Sequence, residues 1–504
     1  MIEALIAAPL LLPAFAGTAT LLFLRRRRWI GAAISIGSAL GLIAVSIILM
    51  GWATAGEPTA YALGDWPAPF GIVLVLDRLA ALMLLLTALL GLAVSVHATV
   101  TGLDRKGWHF HSLFQFELLG LNGAFLTGDL FNLFVFFEVL LIASYGLMLH
   151  GQGARRLTAG VQYVIVNLIG STLFLVALGL LYGLTGTLNM AHMAGRVAML
   201  PAGDQGLAQA AGLLLAAVFA LKAALLPLHL WLPRTYAAAA PAVAALFAIM
   251  TKVGAYAIMR TMPLIFGDAA GAFLLPAALG TMLLGFVGLL AARGLREMAA
   301  FGLVGSTAML LTAVALFDGQ AMAAALYYLP HTTLSAALLF LTVDLIIRWR
   351  GAEGAAIVPT PRYAGQGMLA FLFLAAAVAL SGLPPLSGFI GKLLILRATL
   401  ASPHVVAIWV VVLGTSLIAL IGLARAGSRL FWKEDATQPV NADRPAPGRV
   451  EALPAFFLLA LLAGLTICSG PATAYMEATS AQIFDTGGYV RSVLGSGDEG
   501  KGGE

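Results

Sequence analysis

A single cysteine, Cys468, among 504 residues excludes a disulfide framework, a cysteine-built zinc site and cysteine-ligated iron–sulfur clusters, because each needs several thiolates. Any electron transfer would have to reside on a partner. Charge is scarce as well: 10% of the residues are Asp, Glu, Lys or Arg and 61% are hydrophobic, whereas soluble domains run at about 25% charged and about 45–50% apolar. With a mean hydropathy of +0.97 spread over nearly the whole chain, separate soluble domains are excluded and the bilayer is the solvent that fits. The net charge of +5 invites a nucleic-acid reading, but no basic stripe interleaved with aromatics is present, and no nucleic-acid partner is expected. No cofactor motif is visible, so neither a cofactor nor a metal is expected, and the chain reads as a non-enzyme.

What is present is a succession of apolar runs of about 20 residues, the length of a transmembrane helix. Cut at charged, Gly-rich or Pro-rich breaks, fourteen candidates lie at 3–24, 29–51, 72–100, 111–127, 129–149, 160–184, 206–231, 236–262, 269–292, 296–317, 321–347, 366–400, 404–430 and 450–474. They are too long for barrel strands and do not alternate apolar with polar. The expected fold is an all-α polytopic membrane protein of about 14 helices in a single membrane domain over 1–504. The cluster Arg25–Arg28 follows the first apolar run, the reverse of a signal peptide, so that run reads as a retained helix.

Lys and Arg concentrate in cytoplasmic loops. With loops assigned to alternate sides, the odd-numbered loops hold 19 of the 28 Lys and Arg, and the even loops with the C-terminal tail hold 5: Arg196, Arg260, Arg397, Arg491 and Lys501. A missed span would have moved every later loop to the wrong side. Both termini are therefore expected on the non-cytoplasmic side. The 431–450 loop reads as a solvated connector, and the Gly-rich 476–504 tail as low-complexity and disordered.

Arg78, Lys222, Lys252 and Lys392 fall inside spans. An ionisable group at the bilayer centre costs about 2.5–3.5 kcal/mol even on insertion scales, which marks each as a functional candidate. Six stand out: Glu117, Glu138, Lys222, Lys252, His331 and Lys392. The plain alternative is a buried ion pair that only fixes packing, but Glu138 cannot neutralise three lysines. Groups whose proton affinity is set by burial and a nearby carboxylate can pass a proton through small geometric changes, which describes a relay. Asp77, Arg78 and Asp344 read as interfacial.

Two of the lysines flank helix breakers. Lys222 precedes Pro227 and Pro233 in KAALLPLHLWLP, and Lys392 follows Pro384 and Pro385 in GLPPLSGFIGK. Proline removes a backbone donor, and in hydrocarbon a broken helix survives only inside protein or beside a wet cavity. Broken helices at corresponding places in two halves point to a transporter's ion path. The two lie in candidates 7 and 12, each the fourth member of a five-helix unit, 111–262 and 269–430. Five is odd, so the units are inverted relative to one another, after the N-terminal helices of 1–100 and before a last helix at 450–474. His229, seven residues beyond Lys222, is either an accessory to it or a cap on the break.

The stretches LNGAFLTGDLFNLFVFFEVLLIASYGLMLHG, LKAALLPLHLWLPRTYAAAAPAVAALFAIMTKVGAYAIMR and SGLPPLSGFIGKLLIL resemble the antiporter-like subunits shared by Mrp-type cation/proton antiporters and the membrane arm of respiratory complex I. The first is most similar to the D-type subunit of the Mrp system, Pha-type in proteobacteria. The resemblance implies two inverted five-helix repeats, broken helices 7 and 12, and a polar axis along the membrane's middle. It implies that Glu138 pairs with Lys222, that Lys252 and His331 continue the axis, and that Lys392 ends it. The chain departs from the pattern where Thr332–Ser335 replace a lysine one turn after the histidine, and where Arg234 follows the WLP motif. The first departure leaves the relay thin, to be bridged by water; the second should alter only the rim. No family role attaches to Glu117.

The expected function is therefore proton translocation along Glu138, Lys222, Lys252, His331 and Lys392, within a hetero-oligomer in a bacterial inner membrane that exchanges H+ for Na+ or K+. The alternative is a proton-pumping membrane component of a redox complex, complex I-like or a membrane-bound hydrogenase. A pure scaffold would tolerate Met or Leu at all three lysines.

Overall fold

The computed structural model describes residues 3–23, 28–66, 71–361, 363, 365–433 and 448–495. Arg25, Arg26, Arg27, Arg362, most of the 431–450 connector and residues 496–504 lie outside the described residues. Helices α1 (Ala8–Phe23) and α2 (Arg28–Ala55) are followed by an antiparallel hairpin, β1 (Thr59–Ala62) and β2 (Val73–Leu76), with Thr59 opposite Leu76 and Ala62 opposite Val73. The expected span at 72–100 thus begins as a strand, as the β-branched run Val73-Leu74-Val75 favours. Asp77 then starts α3 (Arg78–Val100), its carboxylate accepting from the Ala80 N–H at 2.8 Å, an N-cap.

Next come α4 (Phe110–Leu126), α5 (Leu130–Leu149, capped by Asp129), α6 (Ala154–Thr185), the short α7 (Met190–Ala198) and α8 (Ala202–Lys222). The expected single helix at 206–231 is broken: α8 ends at Lys222, Ala224 adopts a left-handed φ of 58°, and α9 (Trp231–Ala238) resumes after Pro227. The eighth candidate is built from α10 (Pro241–Phe247) and α11 (Met250–Thr261). The chain continues through α12 (Gly271–Ala291), α13 (Leu295–Val314) and α14 (Gly319–Arg350, capped by Asp318). The twelfth candidate is again two helices, α15 (Gln366–Ser381) and α16 (Ser387–Ala398), separated by Gly382 in a left-handed turn and the Pro384–Pro385 pair. Helices α17 (Val405–Gly427) and α18 (Arg449–Ile467) follow.

Among the described residues twelve helices are long and apolar enough to cross a membrane. The two candidates that fall short are the seventeen-residue α4 and the split α15/α16. The last candidate stops at Ile467, and 476–494 is not disordered: α19 (Ser469–Phe484) and α20 (Thr486–Leu494) occupy it. Tertiary contacts supply the order that low-complexity composition hid. Tyr475 donates to the Arg78 carbonyl at 2.7 Å, Ser480 to the Gly319 carbonyl at 2.7 Å, and Gln482 accepts from the Arg78 N–H at 3.0 Å.

Contacts between connections gather in two groups, one at each end of the bundle. At one end, bridges join Leu74 to Thr127 and Asp129 to Asn189, and α20 packs on β1 and α7. At the other, Gly294 bridges Ala356, His150 bonds the Leu103 carbonyl at 2.8 Å, and Arg348 bonds the Thr101 carbonyl at 2.6 Å. Burial separates an inner from an outer ring: the most apolar stretch of Pro241–Phe266 is 100% buried, whereas those of α17 and α18 are 28% buried. The interior helices, α10, α11, α13 and α14, are where buried polar groups need protein partners.

Candidate functional site

A polar row crosses this interior. It begins on α5 and α6. Glu138 is half-buried and accepts a hydrogen bond from the Ser171 hydroxyl. Lys222, the last residue of α8, donates to Asn167 Oδ1 at 3.1 Å and sits 5.9 Å from the centre of the Phe137 ring. Asn167 and Ser171 are four apart on α6, hence neighbours on one face. No ion-pair contact joins Glu138 and Lys222, and α6 gives each a neutral partner, Ser171 for Glu138 and, one turn away, Asn167 for Lys222.

Beside Lys222, a cavity of about 20 Å³ is lined by Phe137, Tyr163, Asn167, Trp231, Met250 and Val253, room for one water molecule. Beyond it lies Lys252 on α11, fully buried. Its ammonium donates to Thr307 Oγ1 at 3.0 Å and Thr251 Oγ1 at 3.3 Å. On α13, Ser306 precedes Thr307 and accepts from Thr332 of α14 at 2.7 Å. Thr332 adjoins His331, whose Nδ1 is 3.0 Å from Ser387 Oγ on α16. Between α13 and the helices that carry Lys252 and His331 lie two hydroxyl pairs, Thr251–Thr307 and Ser306–Thr332.

Lys392 closes the row. Its ammonium donates to the Ser381 carbonyl at 2.8 Å and to Ser416 Oγ on α17 at 2.7 Å. Ser381 ends α15, so the charge sits at the negative end of a half-helix; Lys222 stands likewise at the end of α8. Gly382, at φ 69°, makes room for this fold-back, since a Cβ there would meet Lys392 Cδ at 2.5 Å. Among the described residues no carboxylate lies within salt-bridge distance of Lys222, Lys252 or Lys392.

The remaining candidates separate from the row. His229 is buried without capping the break: its Nδ1 has no partner, and Trp231 Nε1 bonds the Leu221 carbonyl at 3.2 Å instead. Glu117 is fully buried on α4 with neither oxygen hydrogen-bonded. Arg234 is exposed, whereas Asp77, at the N-cap of α3, is buried, 2.5 Å from Arg260. Arg260, assigned to a loop by hydropathy, lies inside α11 and stacks between the rings of Tyr256 and Tyr489 at 5.5 and 5.3 Å. Asp344 accepts from Arg348 at 3.2 Å and sits 3.0 Å from His97 Nε2. At the capping position before α5, burial pushes the Asp129 carboxyl up from 3.8 to about 6. Sequence reasoning missed Asn167, Ser171, Thr307, Ser381 and Ser416; an Asn-x-x-x-Ser pair in an otherwise apolar helix was the one available signal.

A membrane protein with paired broken helices and a lysine-rich polar row belongs to a definable class, and the chain's sequence agrees: the model described as NADH:quinone oxidoreductase/Mrp antiporter, TM, matches residues 127–419. The chain belongs to this family. More particularly, it is similar to the probable K(+)/H(+) antiporter D subunit of Rhizobium meliloti, at 40% identity over 96% of each chain. It is 36% identical to the Na(+)/H(+) antiporter D subunit of Bacillus subtilis, over 91% of this chain and 92% of that one. In fold it resembles a chain of the Mrp complex from Dietzia sp. DQ12-45-1b, with a TM-score of 0.86, 28% identity and 98% and 99% coverage. A chain of respiratory complex I from Thermus thermophilus shares the fold at a TM-score of 0.78 and 24% identity, over 96% of this chain and 100% of that one.

Proposed function

We propose that this chain is the D-type, proton-translocating member of a multisubunit antiporter exchanging H+ for Na+ or K+. It is a transporter component, placed in a bacterial inner membrane with both termini on the non-cytoplasmic side. Its partners are the other antiporter subunits. Residues 111–262 and 269–430 are read as the two inverted five-helix units, a reading supported by the matching breaks beside Lys222 and Lys392.

The observation that carries the proposal is the row of three buried lysines and a histidine held by neutral oxygens, with hydroxyls between them. A structural ion pair would place a carboxylate on each ammonium. Here Asn167, Thr307 and Ser416 accept from ammonium groups without fixing the charge permanently. Protonation of Lys252 or Lys392 disfavours charge on Lys222 by like-charge repulsion, which low dielectric strengthens. The proton released from Lys222 moves on through the adjoining water-sized cavity. Glu138, held near the lateral surface by Ser171, provides the opposing charge. The relatives named as antiporter subunits, not redox subunits, favour this reading over the redox alternative.

In the assembled complex, Glu138→Ala or Lys222→Ala should abolish cation/proton exchange while leaving assembly intact. Full exchange in either variant refutes the proposal.

A further inference from the structure

A second polar feature lies between the end of the row and the surface. An open cavity of about 500 Å³ is bounded by Asp318, Gln320, Ala324, Arg397, Glu477 and Ser480, at the N-terminal end of α14. Its rim residues Asp318, Gln320, Arg397 and Glu477 are exposed, and Ala324 at its floor is buried. From this floor, Gln320, Ala324, Tyr328 and His331 follow at spacings of four, four and three, one stripe of α14. Helical side chains lean toward the N-terminus of their own helix, so Tyr328 leans toward Ala324 and the cavity, and His331 leans toward Tyr328. The Tyr328 and His331 rings are 5.2 Å apart.

Both residues are fully enclosed and both carry an unsatisfied atom: the Tyr328 hydroxyl and His331 Nε2 have no hydrogen-bond partner. Two orphaned polar groups stacked on one stripe call for an explanation. The facing helix is shaped for them. A Cβ on Gly388 would stand 2.8 Å from His331 Nε2, and one on Gly391 would stand 2.8 Å from the Tyr328 ring. Helix α16, which carries Lys392, thus presents glycine to each group in turn and leads to Leu394 and Arg397 at the cavity.

We propose that this seam is the outer proton gate of the row, with the cavity as its aqueous vestibule and Tyr328 as the group that passes the proton. The inference rests on the proposed function above. With Nδ1–H directed to Ser387 Oγ, the Nε2 lone pair of His331 accepts the proton that the Tyr328 hydroxyl gives up, directly or through one water. The hydroxyl takes a replacement proton from hydronium in the vestibule, which becomes water, so it is unchanged after each transfer, and the steps reverse for release. Helix α19, with Ser480 bonded to the Gly319 carbonyl, forms one wall of the vestibule.

The test uses the assembled complex in a Cys468→Ser background, since the native thiol is exposed. Tyr328→Phe keeps the ring and removes the hydroxyl; it should lower exchange at least about tenfold, the low side of general acid–base contributions, with complex abundance unchanged. Tyr328→His, which restores a proton-passing group, should recover exchange. Ala324→Cys should react with a membrane-impermeant thiosulfonate applied from the vestibule side, and the adduct should block exchange. Wild-type exchange in Tyr328→Phe, or an Ala324→Cys adduct without effect, overturns the gate. If Glu138→Ala is inactive while Tyr328→Phe is fully active, the gate fails and the proposed function stands; full exchange in Glu138→Ala removes the function itself.

Discussion

Replacing Asn167 with Leu directly tests the neutral partners that α6 gives to Glu138 and Lys222. Asn167 Oδ1 accepts from the Lys222 ammonium at 3.1 Å, and its Nδ2 only donates to the Tyr163 carbonyl at 2.9 Å, within its own helix. Leu has nearly the same shape, so packing around the buried site changes little and no large cavity opens. What is lost is one hydrogen bond to a charged group, worth about 1.5–3 kcal/mol. At about 1.4 kcal/mol per tenfold, holding the ammonium at this point becomes roughly 10- to 100-fold less favourable. Exchange should fall by that factor in inverted vesicles, read as cation-triggered dequenching of a ΔpH-sensitive acridine dye, with assembled complex quantified on native gels. Ser171→Ala should act on Glu138 in the same direction, and the double variant should lose less than the product of the two, because both act on one unit. Exchange within twofold of wild type in Asn167→Leu, at normal complex abundance, would refute the idea that α6 couples Glu138 to Lys222.

Three further outcomes follow from the geometry. Asp129 binds its proton more tightly in the folded protein, 3.8 rising to about 6, so its own contribution to stability is greatest below about pH 4, falls as pH rises toward 6 and levels above it. Asp129→Asn, which can still cap α5, should match wild type at pH 4 and exceed it at pH 7 by about 1–3 kcal/mol; equal thermal-melt differences at both pH values would contradict this. Asp77→Ala strands the Arg260 guanidinium, which is 6% exposed, at a cost of about 3–5 kcal/mol, and should sharply lower the melting temperature of the purified complex; an unchanged melt would show the pair to be unimportant. Gly382→Ala must adopt a left-handed backbone costing about 1–2 kcal/mol and displace Lys392 from the Ser381 carbonyl, so exchange should drop; normal exchange would mean that this contact is dispensable.

The sequence disclosed most of what composition and periodicity can carry. Long apolar runs marked the helices, prolines marked both breaks, and a membrane-buried charge is conspicuous enough that Lys222, Lys252, His331 and Lys392 stood out and lie inside the bundle. The hairpin before α3 was hidden because a four-residue apolar strand is indistinguishable from the start of a helix by hydropathy. The tail helices α19 and α20 were hidden because their order comes from distant partners such as Arg78 and Gly319. The hydroxyl and amide partners were invisible for a different reason. Ser and Thr are common in helices, where many bond only their own backbone, as Thr87 does to the Met83 carbonyl. Nothing local distinguishes Thr307 or Ser416 from these; only the packing of α11 on α13 and of α16 beside α17 gives them an ammonium to accept.

The most direct measurement of the central claim is proton flux in liposomes reconstituted with the purified complex, driven by an inward Na+ or K+ gradient, comparing wild type with Lys252→Met. Lys252 is wholly enclosed, so its replacement removes a proton carrier from the middle of the row without altering the surface. The account predicts loss of cation-dependent proton flux from a complex of normal composition. Undiminished flux in that complex would show that protons do not travel along this row.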